Sequence, residues 1–134
     1  MEIVRRSVRG VTLLDLTGRL TVSPSDVEIA PLRAAIGELM AGGCAHIGLN
    51  LSGLTHLDAR GLGELVLALK TVHRLGGRLT LVAPSAPVLK ILAVTRLDTI
   101  FDRCESETEL LARAFPQVPA SGRRPAGLDA AAYG

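Results

Sequence analysis

The sequence predicts a single α/β domain, in which a mixed, mostly parallel sheet of about five strands packs against four helices. Short apolar runs alternate with segments of helical periodicity and give the order β-β-α-β-α-β-α-β-α. The near-continuous apolar run from Ile47 to Leu51 is typical of a strand inside a sheet, parallel to a neighbour. A length of 134 residues, 48% of them hydrophobic, is sufficient for one core and too short for two ordinary domains.

Five strands are predicted from apolar and β-branched runs bounded by turn-forming residues. Arg9 and Gly10 join the first two, because glycine permits the tight turn of a hairpin. The strands are predicted at residues 2–8, 11–17, 46–51, 78–82 and 99–103. Two further segments, residues 21–29 and 52–58, are predicted as loops that lead from a strand into the following helix.

Four helices are predicted from apolar residues that recur every three to four positions. They are placed at residues 30–40, at residues 59–75, after Ser85, and from residue 106 to about residue 115. Ser85 is expected to cap the third helix, and Ser106 with Glu109 has the form of a capping box for the fourth. Pro and Gly then interrupt any periodicity, so we expect a domain over residues 1–116 and a flexible tail over residues 117–134.

The composition argues against several classes of function. A net charge of +2 gives no electrostatic case for direct binding to DNA or to a membrane surface, and 2% aromatic residues offer few stacking platforms for single-stranded nucleic acid. There is no apolar run of the roughly 20 residues that span a membrane, and the start has no secretory signal, so we expect a cytoplasmic protein of bacterial type.

Catalytic and metal-binding patterns are also missing from the sequence. The three histidines and two cysteines lack metal-ligand spacing; they are His46, His56, His73, Cys44 and Cys104. There is no phosphate-binding-loop pattern and no Ser-His-Asp order. We therefore expect no metal, no cofactor and no enzymatic activity.

One segment, residues 50–63, carries a family resemblance. It reads Asn-Leu-Ser-Gly-Leu-Thr-His-Leu-Asp-Ala-Arg-Gly-Leu-Gly and resembles the signature of STAS domains, the anti-anti-sigma-factor family, roughly Asp-Leu-Ser-x-Val-x-x-Ile-Asp-Ser-Ser-Gly-Leu-Gly. Four further stretches resemble the family in the same order, at residues 16–20, 76–82, 84–97 and 100–101. The resemblance covers about residues 3–115 and implies the STAS fold.

The resemblance also implies a function. Family members of this kind are not enzymes; they bind an anti-sigma factor that is also a serine kinase, and they are released when the kinase phosphorylates the second Ser of the signature. This sequence has Arg60 at that position and Ala59 before it, so the resemblance implies an antagonist without the regulatory hydroxyl. The residues implied in partner binding are Thr21, Ser52, Thr55, Asp58, Ala59, Arg60, Gly61 and Leu62.

Three departures from the family pattern stand beside the match. Arg60 places a positive charge where the phosphorylated family member carries a negative one. Thr21 stands where the family often has Asp, and Arg96 stands where Gly is usual, which predicts a weaker helix end.

Asp58 and Arg60 each have a structural alternative. Asp58 is suited to cap the second helix, whether or not it contacts a partner. Arg60 lies in the first helical turn, where the helix dipole disfavours a cation by roughly 0.3–1 kcal/mol. It is therefore either solvated or in contact with an acidic partner or a phosphate.

The glycines and hydroxyls around this segment also allow two interpretations. Gly61 and Gly63 lie early in a helix, where each costs about 1 kcal/mol relative to Ala, so a partner backbone or a neighbouring strand is expected to approach closely. Ser52 and Thr55 are expected to make turn and cap hydrogen bonds, with phosphorylation there as the alternative.

Two other functions remain open on the sequence alone. STAS domains also occur as subunits of ABC-type lipid transporters, where the module braces the ATPase. A nucleotide-binding sensor is the second alternative, because a strand, loop and helix N-terminus can hold a phosphate. The loop lacks a glycine-rich cradle, which makes the sensor the weaker of the two.

Overall fold

The structure is a computed structural model that describes residues 2–21 and 30–114. Strands and helices alternate in the predicted order: β1 (Glu2–Val8), β2 (Val11–Leu20), α1 (Ala30–Ala41), β3 (His46–Leu57), α2 (Ala59–Arg74), β4 (Arg78–Val82), α3 (Ala86–Thr95), β5 (Asp102–Cys104) and α4 (Glu107–Ala114). The predicted α/β fold class is confirmed. Most of the loop predicted at residues 21–29 and the whole predicted tail at residues 117–134 lie outside the described residues.

The five strands form one sheet in the order β1-β2-β3-β4-β5. β1 pairs antiparallel with β2 through the predicted turn, where Arg9 and Gly10 both have positive φ, of 51° and 87°. The other neighbouring pairs are parallel. Because parallel strands end at the same edge of a sheet, the ends of β2 and β3 lie together at the edge where α2 begins.

Helices cover the two faces of the sheet unequally. α1, α2 and α3 pack on one face and form the main core with residues such as Leu14 and Leu49, both fully buried. Successive side chains of a strand point to opposite faces, so Leu13 points the other way. There it joins a smaller core cluster with Leu110 of α4. The α4 face of the sheet therefore carries the smaller of the two cores.

The prediction of a loop at residues 52–58 is wrong for most of this segment, because β3 continues to Leu57. Asp15 of β2 pairs with Asn50, whereas Thr17 pairs with Gly53, so β3 contains an extra residue at the Ser-Gly that indicated a turn. The register shifts again between Gly18 and Arg19. A side chain at Gly53 would approach Thr17 Cγ2 to 2.7 Å, so the glycine serves close strand contact instead of a turn.

Three other boundaries also differ from the predictions. β2 runs on to Leu20, and the last strand is Asp102–Cys104 instead of residues 99–103, part of which forms a turn. Ser85 is the N-cap residue of α3, as predicted, but its side chain makes no capping hydrogen bond, and its hydroxyl donates to the carbonyl of Leu54 at 2.7 Å. The capping box of α4 is confirmed in part.

In that box, the Glu109 N–H donates to Ser106 Oγ at 3.1 Å. The Glu109 carboxylate accepts from the N–H of Glu105 at 2.8 Å, one residue before the expected partner.

The end of α3 leads to a prediction about stability. Arg96 adopts the left-handed conformation, with φ 62° and ψ 26°, in which a Cβ atom is unfavourable. We expect Arg96→Gly to raise the free energy of unfolding by about 0.5–1 kcal/mol, measured by urea denaturation. Arg96→Ala is the control, since it removes the charge and keeps the Cβ. An equal gain in both variants would contradict the backbone explanation.

A second prediction concerns acid sensitivity. Burial, with a smaller effect from the charge of Arg78, lowers the pKa of His46, and the ring lies 3.0 Å from Thr80 Oγ1; Asp102 opposes the shift. A folded-state pKa below the unfolded value of about 6.5 favours neutral His46 in the folded state. Its contribution to stability is therefore present above pH 6.5 and is lost as the pH falls through the folded pKa.

We expect the free energy of unfolding to fall between pH 7 and pH 5, and His46→Gln to flatten that slope. One proton accounts for at most about 1.4 kcal/mol per pH unit. Urea denaturation at half-unit pH steps provides the measurement. His73→Gln, at an exposed position on α2, is the matched control, and an equal flattening there would contradict the assignment.

Candidate functional site

The N-terminus of α2 lies at the sheet edge where β2 and β3 end. Asp58 is the N-cap residue, with extended backbone, and its Oδ1 accepts a hydrogen bond from the Gly61 N–H at 2.7 Å. The negative charge of a carboxylate at this position also interacts favourably with the positive end of the helix dipole. The structural role expected for Asp58 is therefore present, and it holds the first turn of α2 in place.

Gly61 brings that turn against the end of β2. An added Cβ would overlap the carbonyl oxygen of Leu20 and would lie 3.0 Å from Leu57 Cδ1. Of the two explanations for the early glycines, a neighbouring strand is therefore the one found at Gly61. Gly63 has open space around its Cα, so no close neighbour within the described residues explains it.

Thr21 belongs to the same corner of the molecule, because it directly follows Leu20. It is only 7% exposed, and Gly61 and Leu62 are buried as well. Ala59 and Arg60 are exposed. The structure thus brings together six of the predicted partner-binding residues, of which Ala59 and Arg60 present the most surface.

Ser52 and Thr55 lie in β3 and make other contacts. The Ser52 hydroxyl donates to Asn50 Oδ1 at 2.9 Å, and the Thr55 hydroxyl donates to the carbonyl of Gly18 at 3.0 Å. Both residues are exposed, and Thr55 Oγ1 also lies 2.8 Å from His56 Nδ1. Ser52 therefore makes a local, turn-type contact as predicted, since its N–H also donates to Asn50 Oδ1, at 3.1 Å. The hydrogen bond of Thr55 instead joins β3 to β2.

Ser52 belongs to a polar network on the α4 face of the sheet that the sequence analysis missed. Asn50 Nδ2 donates to Asp15 Oδ1 at 2.9 Å, and Arg6 makes a bidentate ion pair with Asp15 at 2.7 and 3.1 Å. Arg6 also reaches Glu107 of α4 at 3.0 Å. The Arg6 guanidinium, aided by Asn50, lowers the pKa of Asp15. In the hairpin register Arg6 lies opposite Leu13, two residues from Asp15 on the same face, so the register of the predicted hairpin could have indicated this pair.

A second missed contact joins α1 to α2 one turn beyond Arg60. Arg33 donates to both carboxylate oxygens of Glu64, at 2.7 and 2.6 Å. This bonding is the main reason that the pKa of Glu64 is lowered, and the positive charge of Arg60 adds to the effect. Arg60 is thus part of a charged group, Arg33, Glu64 and Arg60, at the start of the α1–α2 contact.

Two further observations concern residues 2–21 and 30–114. These residues contain no group of three or more His, Cys, Asp or Glu side chains arranged to hold a metal ion, and Cys44 and Cys104 are free thiols. Within the same ranges, no helix combines the length and the apolar character needed to cross a membrane.

Comparison with known proteins gives consistent matches. A family model described as "Mlab, STAS domain" matches residues 4–112. The anti-sigma F factor antagonist of Paenibacillus polymyxa is 28% identical over 111 residues, which cover 83% of this chain and 92% of that protein. This sequence similarity extends over nearly the whole of the relative.

Solved structures agree with this match. A Thermotoga maritima structure, described as a candidate anti-sigma factor antagonist, is 26% identical with a TM-score of 0.66 and covers 81% of this chain and 91% of its own. The anti-sigma factor antagonist SpoIIAA in its unphosphorylated form is 21% identical, with a TM-score of 0.64 and coverage of 84% and 97%. The second likeness concerns the fold alone.

Proposed function

We propose that this chain, which belongs to the STAS domain family, is a non-enzymatic anti-sigma-factor antagonist that binds an anti-sigma factor of the serine-kinase type. The relative from Paenibacillus polymyxa, an anti-sigma F factor antagonist, supports the class of partner. The binding surface in this proposal is the N-terminus of α2 together with the adjoining ends of β2 and β3. The sequence analysis predicted a loop at residues 52–58, and the end of strand β3 occupies most of that segment.

The position of Arg60 is the observation that carries the proposal. Its side chain is exposed in the first turn of α2, and the contact between Gly61 and Leu20 holds that turn against the sheet. A phosphoserine at this position would add about −1.5 to −2 charges, whereas Arg60 has no hydroxyl to phosphorylate and carries a positive charge. This antagonist therefore stays competent for its partner when the kinase is active.

Affinity capture from the host tests the proposal. The full chain, immobilised through its C-terminus, is expected to recover an anti-sigma factor, identified by mass spectrometry. Recovery of an ABC-type ATPase in its place would assign the module to a transporter and overturn the proposal. Capture that is unchanged by both Asp58→Ala and Arg60→Glu would show that the partner binds another surface.

A further inference from the structure

Among the described residues, β1 is an edge strand that pairs with β2 and with no other strand. An edge strand leaves every second pair of backbone N–H and C=O groups without a partner in the sheet. The turn between the two strands identifies these groups. Arg9 and Gly10 both have positive φ, as in a two-residue type I′ hairpin. The residues that flank such a turn, here Val8 and Val11, form a hydrogen-bonded pair.

The outward groups of β1 follow from this pair. Every second residue back from Val8 is hydrogen-bonded to β2, so the residues between them direct their N–H and C=O groups away from the sheet. They are Ile3, Arg5 and Ser7. These backbone groups can be paired only by another extended strand that lies along β1.

This edge lacks the features by which edge strands are usually kept from pairing. β1 is seven residues long, pairs with β2 without a bulge, and contains no Pro, Gly or Lys. Its two arginines are held on the faces of the sheet. Arg5 pairs with Glu38 of α1, and Arg6 pairs with Asp15 of β2. Both charges are therefore directed away from the line along which a further strand would add.

We propose that β1 pairs with β1 of a second copy of this chain, antiparallel and centred on Val4, so that the two five-stranded sheets join edge to edge. In this register Ile3 of each copy forms a hydrogen-bonded pair with Arg5 of the other. Val4 is 53% exposed in the single chain and lies opposite its own copy, where the two side chains remove apolar surface from water. The inference goes beyond the proposed function, because this edge is not part of the surface around Arg60.

The order of side chains in β1 favours this register over its neighbours. Pairing centred on Arg5 would place that arginine directly opposite its own copy, and like charges at such a position are unfavourable. Pairing centred on Ile3 would overlap a shorter part of the described strand. Pairing centred on Val4 overlaps most of β1 and places Glu2 opposite Arg6 of the second copy, so no like charges face each other. The strand is therefore complementary to its own antiparallel copy.

Sedimentation and hydrogen exchange of the full ¹⁵N-labelled chain test this dimer. We expect a reversible equilibrium between monomer and dimer, in which the N–H groups of Ile3 and Arg5 become protected from exchange as the dimer forms. The N–H of Val4 is bonded to β2 and should be protected in both states. A chain that stays monomeric at NMR concentrations would overturn the proposal. Protection of Ile3 and Arg5 in the monomer would give the edge to another segment of the same chain and would also overturn it.

Arg5→Pro removes an outward N–H next to the centre of the pairing. Proline is tolerated in an edge strand where the missing N–H would face solvent, so the monomer is expected to fold. We expect the dissociation constant of the dimer to rise at least tenfold. Arg5→Ala is the matched control, because it loses the same ion pair with Glu38 and keeps the N–H, and it should change the constant less than twofold. A dimer that withstands Arg5→Pro would use another surface and would contradict the assignment.

Val4→Lys keeps the proposal testable if Arg5→Pro does not fold. The position is exposed in the monomer, whereas the dimer would place two lysines directly opposite each other. We again expect the dissociation constant to rise at least tenfold. Val94→Lys makes the same change at a 74% exposed position on α3 and is the control. Equal weakening by both variants would show that added charge governs association, and it would overturn the pairing of β1.

Discussion

Gly61→Ala is expected to lower the free energy of unfolding by about 3 kcal/mol or more, although it adds a single methyl group. The methyl carbon would overlap the carbonyl oxygen of Leu20 and would meet Leu57 Cδ1 at 3.0 Å on another side. The first of these is a backbone atom, so a rotamer change cannot relieve the overlap. Either the start of α2 or the end of β2 must move, and both elements are packed in the core.

Gly63→Ala is the matched control two residues along the same helix. It makes the same chemical change where a Cβ meets open space, so only the helix preference of alanine should act. We expect the free energy of unfolding to rise by about 0.5–1 kcal/mol. The two variants therefore differ in sign as well as in size, and urea denaturation followed by circular dichroism measures both.

The outcome bears on the site as well as on stability. If Gly61→Ala proves as stable as the natural chain, then α2 does not lie against Leu20 as closely as described. The exposed side of the first turn, which carries Arg60, would then be positioned less rigidly. The expected loss instead indicates that the binding surface is fixed by contact between helix and sheet.

Local patterns in the sequence were sufficient to predict the helices. α1 and α2 were predicted to within one residue at their ends, because their apolar periodicity and flanking glycines are properties of neighbouring residues. The full length of β3 was not predicted, because it depends on residues that are distant in the sequence. Whether Ser52 and Gly53 turn or continue depends on the pairing with β2, and bulges that accommodate an extra residue leave no local signal.

The same distinction applies to the candidate site. The cap at Asp58 and the close approach at Gly61 were predictable, since helix starts have a recognisable composition. The ion pair of Arg33 with Glu64 joins side chains 31 residues apart on two helices, so it depends on how those helices pack. Such contacts are set by tertiary packing, which one sequence does not encode in any short pattern.

Arg60→Glu is expected to weaken binding of the proposed partner, an anti-sigma factor, by about 10- to 100-fold, equivalent to about 1.4–2.8 kcal/mol. The variant puts a negative charge on the first turn of α2, where the family resemblance implies a phosphorylated serine, and a like charge at a docking surface is strongly unfavourable. The affinity of the natural chain should also fall with added salt more steeply than that of the variant.

Stability of the variant is expected to change little, which keeps the binding result interpretable. A carboxylate near the helix N-terminus gains roughly 0.3–1 kcal/mol from the dipole. Replacing the attraction between Arg60 and Glu64, four residues along, by repulsion costs roughly 0.4–1 kcal/mol, so the two effects nearly cancel. Arg9→Glu makes the same charge change in the β1–β2 turn, at the far end of β2 from this site, and is the control. An equal loss of affinity in both variants, measured by calorimetry, would mean that net charge governs binding and that Arg60 has no specific contact.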